Sequence, residues 1–171
     1  FTSVGKVYRL KVHELPLGSR QSKGRAIVNL LPFRQDELVR AVIATRDYKE
    51  SKFLVFATKK GVIKKTAFLE YNTPLQADGI IALKMRAGAE LIGVRLSDGD
   101  NDILMVSRMG QAVRFHEADV RPMGRPASSV DEAWEIACEI GLPVVLKPQD
   151  GNQGKGVTVN ITDFAGLEEA Y

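Results

Sequence analysis

The residues best suited to chemistry stand near the end of the sequence, in Asp150-Gly151-Asn152-Gln153-Gly154-Lys155-Gly156. Gly151, Gly154 and Gly156 let backbone amides approach an anion closely, and Lys155 adds positive charge at the tip. Lys147, at the end of the apolar strand that precedes the loop, is placed to reach the same anion. The spacing is not that of a Walker A loop, because Val157 stands where that motif needs its lysine and hydroxyl residue, and it is not the dinucleotide G-x-G-x-x-G. What is left fits a phosphate-covering flap and an unliganded glycine-rich hairpin turn equally well.

A second set of charged residues recurs through the first two thirds of the chain. Phe1-Thr2-Ser3-Val4-Gly5-Lys6-Val7-Tyr8-Arg9 matches Ala57-Thr58-Lys59-Lys60-Gly61-Val62-Ile63-Lys64-Lys65, and again Val106-Ser107-Arg108-Met109-Gly110-Gln111-Ala112-Val113-Arg114, with glycines 56 and 49 residues apart. Each copy reads as a hairpin in which the glycine takes a positive φ and cations flank the turn. A single such hairpin reads most simply as lysines guarding a sheet edge. Three in register place Lys6, Arg9, Lys59, Lys60, Lys64, Lys65, Arg108 and Arg114 along one rim, a stripe suited to a phosphate backbone.

The elements that must position these residues fall into two groups. Residues 1–120 are short β-patterned runs, such as Val7–Val12, Phe53–Phe56, Leu91–Leu96 and Ile103–Val106, with no helix of any length. Glu37-Leu38-Val39-Arg40-Ala41-Val42 returns 53 residues later as Glu90-Leu91-Ile92-Gly93-Val94-Arg95. A period near 50 made only of strands predicts a bladed array of four-stranded sheets. After Arg125 the pattern changes to helix, strand, glycine-rich loop, strand and helix. Ser129 and Glu132 form a capping box, Ala133, Ile136, Ala137 and Ile140 form an apolar stripe, and Thr162 or Asp163 starts a last helix. Charge breaks at the same place: 22 Lys and Arg against 13 Asp and Glu up to Arg125, then 2 against 8. Two units with different partners, 1–125 and 126–171, are expected.

Composition narrows the class. An apolar fraction of 44% and a charged fraction of 26% are those of a globular protein, and no run has the length of a membrane span or the layout of a signal peptide. The reading is a cytoplasmic protein with no membrane partner. Cys138 has no disulfide or metal partner and is expected to be a buried or half-buried helix cysteine, and His13 and His116 stand alone.

Residues 1–125 closely resemble the C-terminal β-pinwheel domain of the DNA gyrase A protein and its topoisomerase IV relatives. The likeness rests on Gly5–Val12, Gly24–Pro32, Glu90–Leu96 and Val113–Gly124. It implies a rim that binds and wraps double-stranded DNA without sequence preference or cofactor, within a larger gyrase-like complex. It implies a mainly β fold with about two and a half of the family's six or so blades. The family's glycine-rich basic box is missing, Ser19-Arg20-Gln21-Ser22-Lys23-Gly24-Arg25 being a degenerate echo of it. The cleavage domain is absent too, so Tyr8, Tyr48 and Tyr71 are not DNA-cleaving nucleophiles.

Residues 124–171 resemble a different family, the ATP-grasp ligases, and most of all cyanophycin synthetase, through Gly141–Pro148 and Asp150–Val157. That resemblance implies an α/β fragment in which Lys147 contacts nucleotide phosphate and Gly151, Gly154, Lys155 and Gly156 close over Mg-ATP. The magnesium, adenine and amino-acid sites of that family are not present, so no ligase activity is expected of the chain alone. A chimera without native function is the third reading.

Overall fold

The computed structural model describes residues 1–126, 129–146 and 157–171. It divides into two compact units, Phe1–Pro126 and Ala127–Tyr171.

The first unit is built on β1 (Lys6–Val7), β2 (Phe53–Thr58), β3 (Ile63–Ala67), β4 (Ile80–Ile81), β5 (Leu91–Ser97), β6 (Asp102–Val106) and β7 (Ala112–His116). Its central sheet has the order β3-β2-β5, all antiparallel, beside the pairs β1-β4 and β6-β7. Strand β2 alternates as a middle strand must, with Leu54 and Phe56 wholly buried on one face. Leu91, Val94, Phe68, Tyr71 and Ala82 complete that core, and the Phe1 ring meets Phe56 edge-on at 5.7 Å between centroids.

Four-stranded blades are expected from the sequence; the longest sheet among the described residues has three strands. The fourth position is occupied only by a parallel bridge from Pro122 to Lys65 and one bond from the Met123 amide to the Lys65 carbonyl, at 2.8 Å. Pro122 has no amide to donate, so the pairing goes no further. The expected strand Val7–Val12 is likewise short, because its partner β4 has only two residues. Val12 instead begins a 3-10 turn and is 82% exposed.

In β6-β7 the bonds from Ser107 N to Gln111 O and from Glu117 N to Asn101 O fix the alternation. Odd-numbered residues of β6 therefore face β7, and the backbone groups of Asp102, Leu104 and Val106 face the opposite edge. Among the described residues that edge carries no strand.

The second unit follows the expected order. Helix α1 (Val130–Ile140) is followed by the antiparallel pair β8 (Val144–Leu146) and β9 (Thr158–Ile161), then by α2 (Phe164–Ala170). Asp163 caps α2 by accepting from the Gly166 amide at 2.8 Å. Ala133 and Ala137 are buried with Ile161 and Leu167, and Trp134 stacks edge-on to Phe164 at 5.7 Å. Cys138 follows Ala137 around the helix onto the solvent side and is exposed, not buried as expected. No helix among the described residues is long and apolar enough to cross a membrane.

Candidate nucleic-acid interface

Three hairpins carry the repeat, and their turns are chemically the same. In each, a hydroxyl residue opens the turn and a glycine three positions on closes it in the left-handed region: Gly5 at φ +82°, Gly61 at +77° and Gly110 at +81°. Thr2 N bonds to Lys6 O at 2.9 Å, Thr58 N to Val62 O at 2.9 Å and Ser107 N to Gln111 O at 2.7 Å. The glycine amide donates back to the carbonyl of the hydroxyl residue at 3.0, 2.9 and 3.0 Å. The Thr58 and Ser107 side chains also accept from the amides of Val62 and Gln111, at 3.0 and 3.1 Å.

The strand leaving each hairpin ends in the same way. Six residues beyond each glycine, Lys11, Ala67 and His116 cap a short 3-10 turn with extended backbone. His116 adds a side-chain cap, its Nδ1 accepting from Ala118 N at 3.2 Å while Nε2 faces Asp100 at 3.2 Å. These turns were not expected from the pattern of apolar residues, although the constant spacing from the glycines marks where they begin.

The structure separates the eight expected cations. Lys6 and Arg9 reach backbone acceptors, Asp78 O at 3.0 Å and Thr73 O at 2.6 Å, and Arg9 also bonds the Tyr48 hydroxyl at 3.1 Å. Lys60 donates to Ala87 O at 3.2 Å, and Lys59 lies 3.5 Å from a Glu90 carboxylate that also holds Arg40. Arg114 is paired with Asp102, its cross-strand diagonal, on an exposed face. Arg108 is exposed at the tip of the third hairpin.

Lys64 and Lys65 do not stand on a solvent-facing rim; they are 7% and 3% exposed. Their place in β3 explains it. Lys64 is opposite Phe56 and shares its core face, where burial, against the pull of Glu70, lowers its pKa to about 8. Lys65 is opposite Val55 on the other face, which the third repeat covers. Its ammonium donates to Glu117 O at 2.6 Å, lies 3.9 Å from the Glu117 carboxylate, and sits 4.9 Å from the Phe53 ring centroid. Burial alone would raise the pKa of Glu117, but bonds from the Ser97 hydroxyl and from Asn101, with the charge of Lys65, hold it below the usual value.

The tyrosines are structural. Tyr71 donates to Ala82 O at 3.3 Å inside the core, Tyr8 to Glu37 at 3.3 Å, and Tyr48 accepts from Arg9. An open groove of about 620 Å³ runs between the first two hairpins, bounded by Ser3, Asp36, Lys59, Lys60 and Glu90, so its lining carries both signs of charge. Lys147, Gly151, Gly154, Lys155 and Gly156, the expected nucleotide contacts, lie outside the described residues.

Hairpins of one turn geometry recurring three times, each with cations beside the turn, define a bladed β-array. The chain belongs to the family described as DNA gyrase C-terminal domain, beta-propeller, whose model matches residues 1–46, 52–98 and 101–130. The three matched segments each contain one hairpin. The DNA gyrase A protein of Haemophilus influenzae is 47% identical over 130 residues, which is 76% of this chain and 15% of that protein. The Salmonella typhimurium gyrase A protein is 45% identical over 162 residues, 95% of this chain and 18% of that protein, so that alignment runs well past Pro126. The C-terminal domain of DNA topoisomerase IV superposes with a TM-score of 0.69 at 28% identity, over 73% of this chain and 39% of that one. A gyrase A C-terminal domain shares the fold at a TM-score of 0.56 and 20% identity, over 72% and 38%. The chain thus spans less than a fifth of either curated relative named here.

Proposed function

We propose that residues 1–125 form a duplex-DNA binding and wrapping module of a gyrase A-like topoisomerase, working in the cytoplasm as part of a larger gyrase-like complex. The observation that carries this reading is the threefold recurrence of one turn geometry with cations beside it. Cations grouped beside the turns of successive repeats, Lys6 and Arg9, Lys59 and Lys60, then Arg108 and Arg114, follow a polyanion of regular spacing better than a compact ligand. Contacts to phosphate carry no sequence information, so binding is expected to be sequence-independent.

Fluorescence anisotropy with a labelled duplex tests the proposal. Three phosphate contacts would lower affinity roughly 40-fold between about 50 and about 200 mM salt, since each released counterion adds about 0.9 to the slope. An affinity flat across that range removes the reading.

A second reading concerns the last unit, where β8 and β9 pair antiparallel and the sequence between them is rich in glycine. A glycine-rich connection there suits an ATP-grasp-like flap binding ATP with Mg. A thermal-shift titration with millimolar Mg-ATP that moves the melt in the wild type but not in Lys147→Ala supports it. No shift, or the same shift in both, removes it.

A further inference from the structure

An apolar groove lies beside the unfilled edge of β6. The amides and carbonyls of Asp102, Leu104 and Val106 point away from β7, and all three residues are exposed. The groove, of about 430 Å³, has Ile103 and Met105 of β6 on one wall and Val55, Ala57, Ile63 and Ile92 of the second repeat's sheet on the other. Val55, Ala57 and Ile63 are only half-buried, because the third repeat covers that face at Lys65 and leaves the rest open. In the second repeat the corresponding edge of β2 is filled by β5 over Phe53–Thr58.

Outward amides and carbonyls at every second residue are satisfied by an extended chain, whose alternate side chains then turn down into the groove. A second copy's β6 does not fit there. Pairing β6 antiparallel with itself keeps the Ile103 and Met105 face of both copies on one side, because directly opposed residues share a face. The incoming strand would bring its own second-repeat sheet into the space that Val55 and Ile92 already wall. The edge therefore admits a segment with nothing packed on its inner face. Charge narrows the choice further. Of the charged residues lining the groove, Asp102 is held by Arg114 and Glu117 by Lys65. Arg95 forms no ion pair among the described residues and donates only to the neighbouring Val94 carbonyl, at 3.0 Å.

We propose that the β6 edge is a strand-addition site for an extended segment of a partner protein, with apolar residues at alternate positions and a carboxylate placed for Arg95. The backbone of Asp102, Leu104 and Val106 supplies the ladder, and the groove takes the apolar side chains. Five residues of β6 match a segment about 17 Å long. The site is separate from the hairpin cations and does not depend on the DNA-binding reading above.

The test titrates the full chain into a labelled, end-blocked peptide that alternates valine with threonine and contains one glutamate, read by fluorescence anisotropy. A peptide of the same composition with its valines contiguous is expected to bind at least about tenfold more weakly, since it cannot pair and fill the groove at once. Leu104→Pro removes one outward donor and leaves the β7 ladder intact, so affinity should fall about tenfold. Ile92→Glu, at a groove residue 50% exposed, should abolish binding, and it decides the matter if the proline variant melts below the wild type. Arg95→Gln should weaken the glutamate peptide severalfold and leave its glutamine version unchanged. No binding at about 1 mM protein, equal affinity for the two valine arrangements, or wild-type affinity in both Leu104→Pro and Ile92→Glu overturns the inference. So does a wild-type dimer in sedimentation that Leu104→Pro converts to monomer, which would give the edge to a second copy.

Discussion

The Lys65 ammonium donates to the backbone carbonyl of Glu117 at 2.6 Å, tying the second repeat to the third through a contact 52 residues apart in sequence. The pair is nearly dry, at 3% and 0% exposure, and Ser97 and Asn101 fill the remaining carboxylate sites. Removing one partner leaves a buried charge without its counterpart. Lys65→Met is therefore expected to lower unfolding free energy by about 3 kcal/mol, and Lys65→Met/Glu117→Gln by less than the sum of the single changes. Urea denaturation of the three variants measures both.

The turn glycines differ in what surrounds them. Gly5 and Gly110 share nearly the same φ, yet a Cβ on Gly5 would run into the Leu83 carbonyl oxygen while one on Gly110 meets nothing within 4 Å. Gly110→Ala should cost only the left-handed backbone term of about 1 to 2 kcal/mol. Gly5→Ala adds a backbone clash that cannot be relieved by a side-chain rotation, and should cost clearly more. Thermal melts of the two variants, compared side by side, give the difference.

Lys64 predicts a rise of stability in mild alkali. Its folded pKa of about 8 lies below the ordinary lysine value of 10.5. Between those two values the unfolded chain holds a proton that the folded chain has released, so stability increases with pH through that window. Tyr71 and Tyr8 act in the opposite sense. Burial raises both, so above about pH 10 the unfolded chain ionises first and stability falls again. A maximum near pH 10 in denaturant midpoints is expected, and Lys64→Met should abolish the rise toward it.

Glu90 holds two cations at once, Arg40 and Lys59, beside the groove between the first hairpins. Glu90→Gln removes one negative charge and releases both. Duplex affinity at low salt should increase severalfold, with the salt slope steeper by about 1 to 2. Anisotropy titrations at several salt concentrations check the change, and a variant no tighter than wild type would show that this part of the surface stays clear of DNA.

Local chemistry was readable from sequence where neighbours along the chain decide it. The hydroxyl-x-x-Gly turns are closed by atoms three and four residues apart, and Asp163 caps a helix that begins at the next residue. The side on which a lysine ends up was not readable in the same way. Lys64 and Lys65 share a strand of charged appearance, but their burial depends on Phe56 across the sheet and on a carboxylate from the next repeat. The tethering of Lys6 and Arg9 likewise depends on carbonyls 72 and 64 residues away. Even the repeat is one residue off. The bridges Thr2 to Val39 and Thr58 to Leu91 put the second element at an offset of 52, whereas matching Glu37 to Glu90 puts it at 53. The register shift at Ala57/Thr58 has a counterpart in the first repeat, where the amides of Arg40 and Ala41 both donate to Phe1 O, so the offset is 52 on both sides of the bulge, and bulges leave little trace in a pattern of apolar positions.

The one-sided pairing of β6 gives the array a polarity. Its counterpart in the preceding repeat, β2, is hydrogen-bonded along both edges, whereas Asp102, Leu104 and Val106 present amides and carbonyls with no strand beside them among the described residues. In the language of polymers, β6 is a growing end, where any strand of matching length is a substrate for elongation. Copy number in such a molecule is set less by the chemistry inside a repeat than by whatever caps that edge.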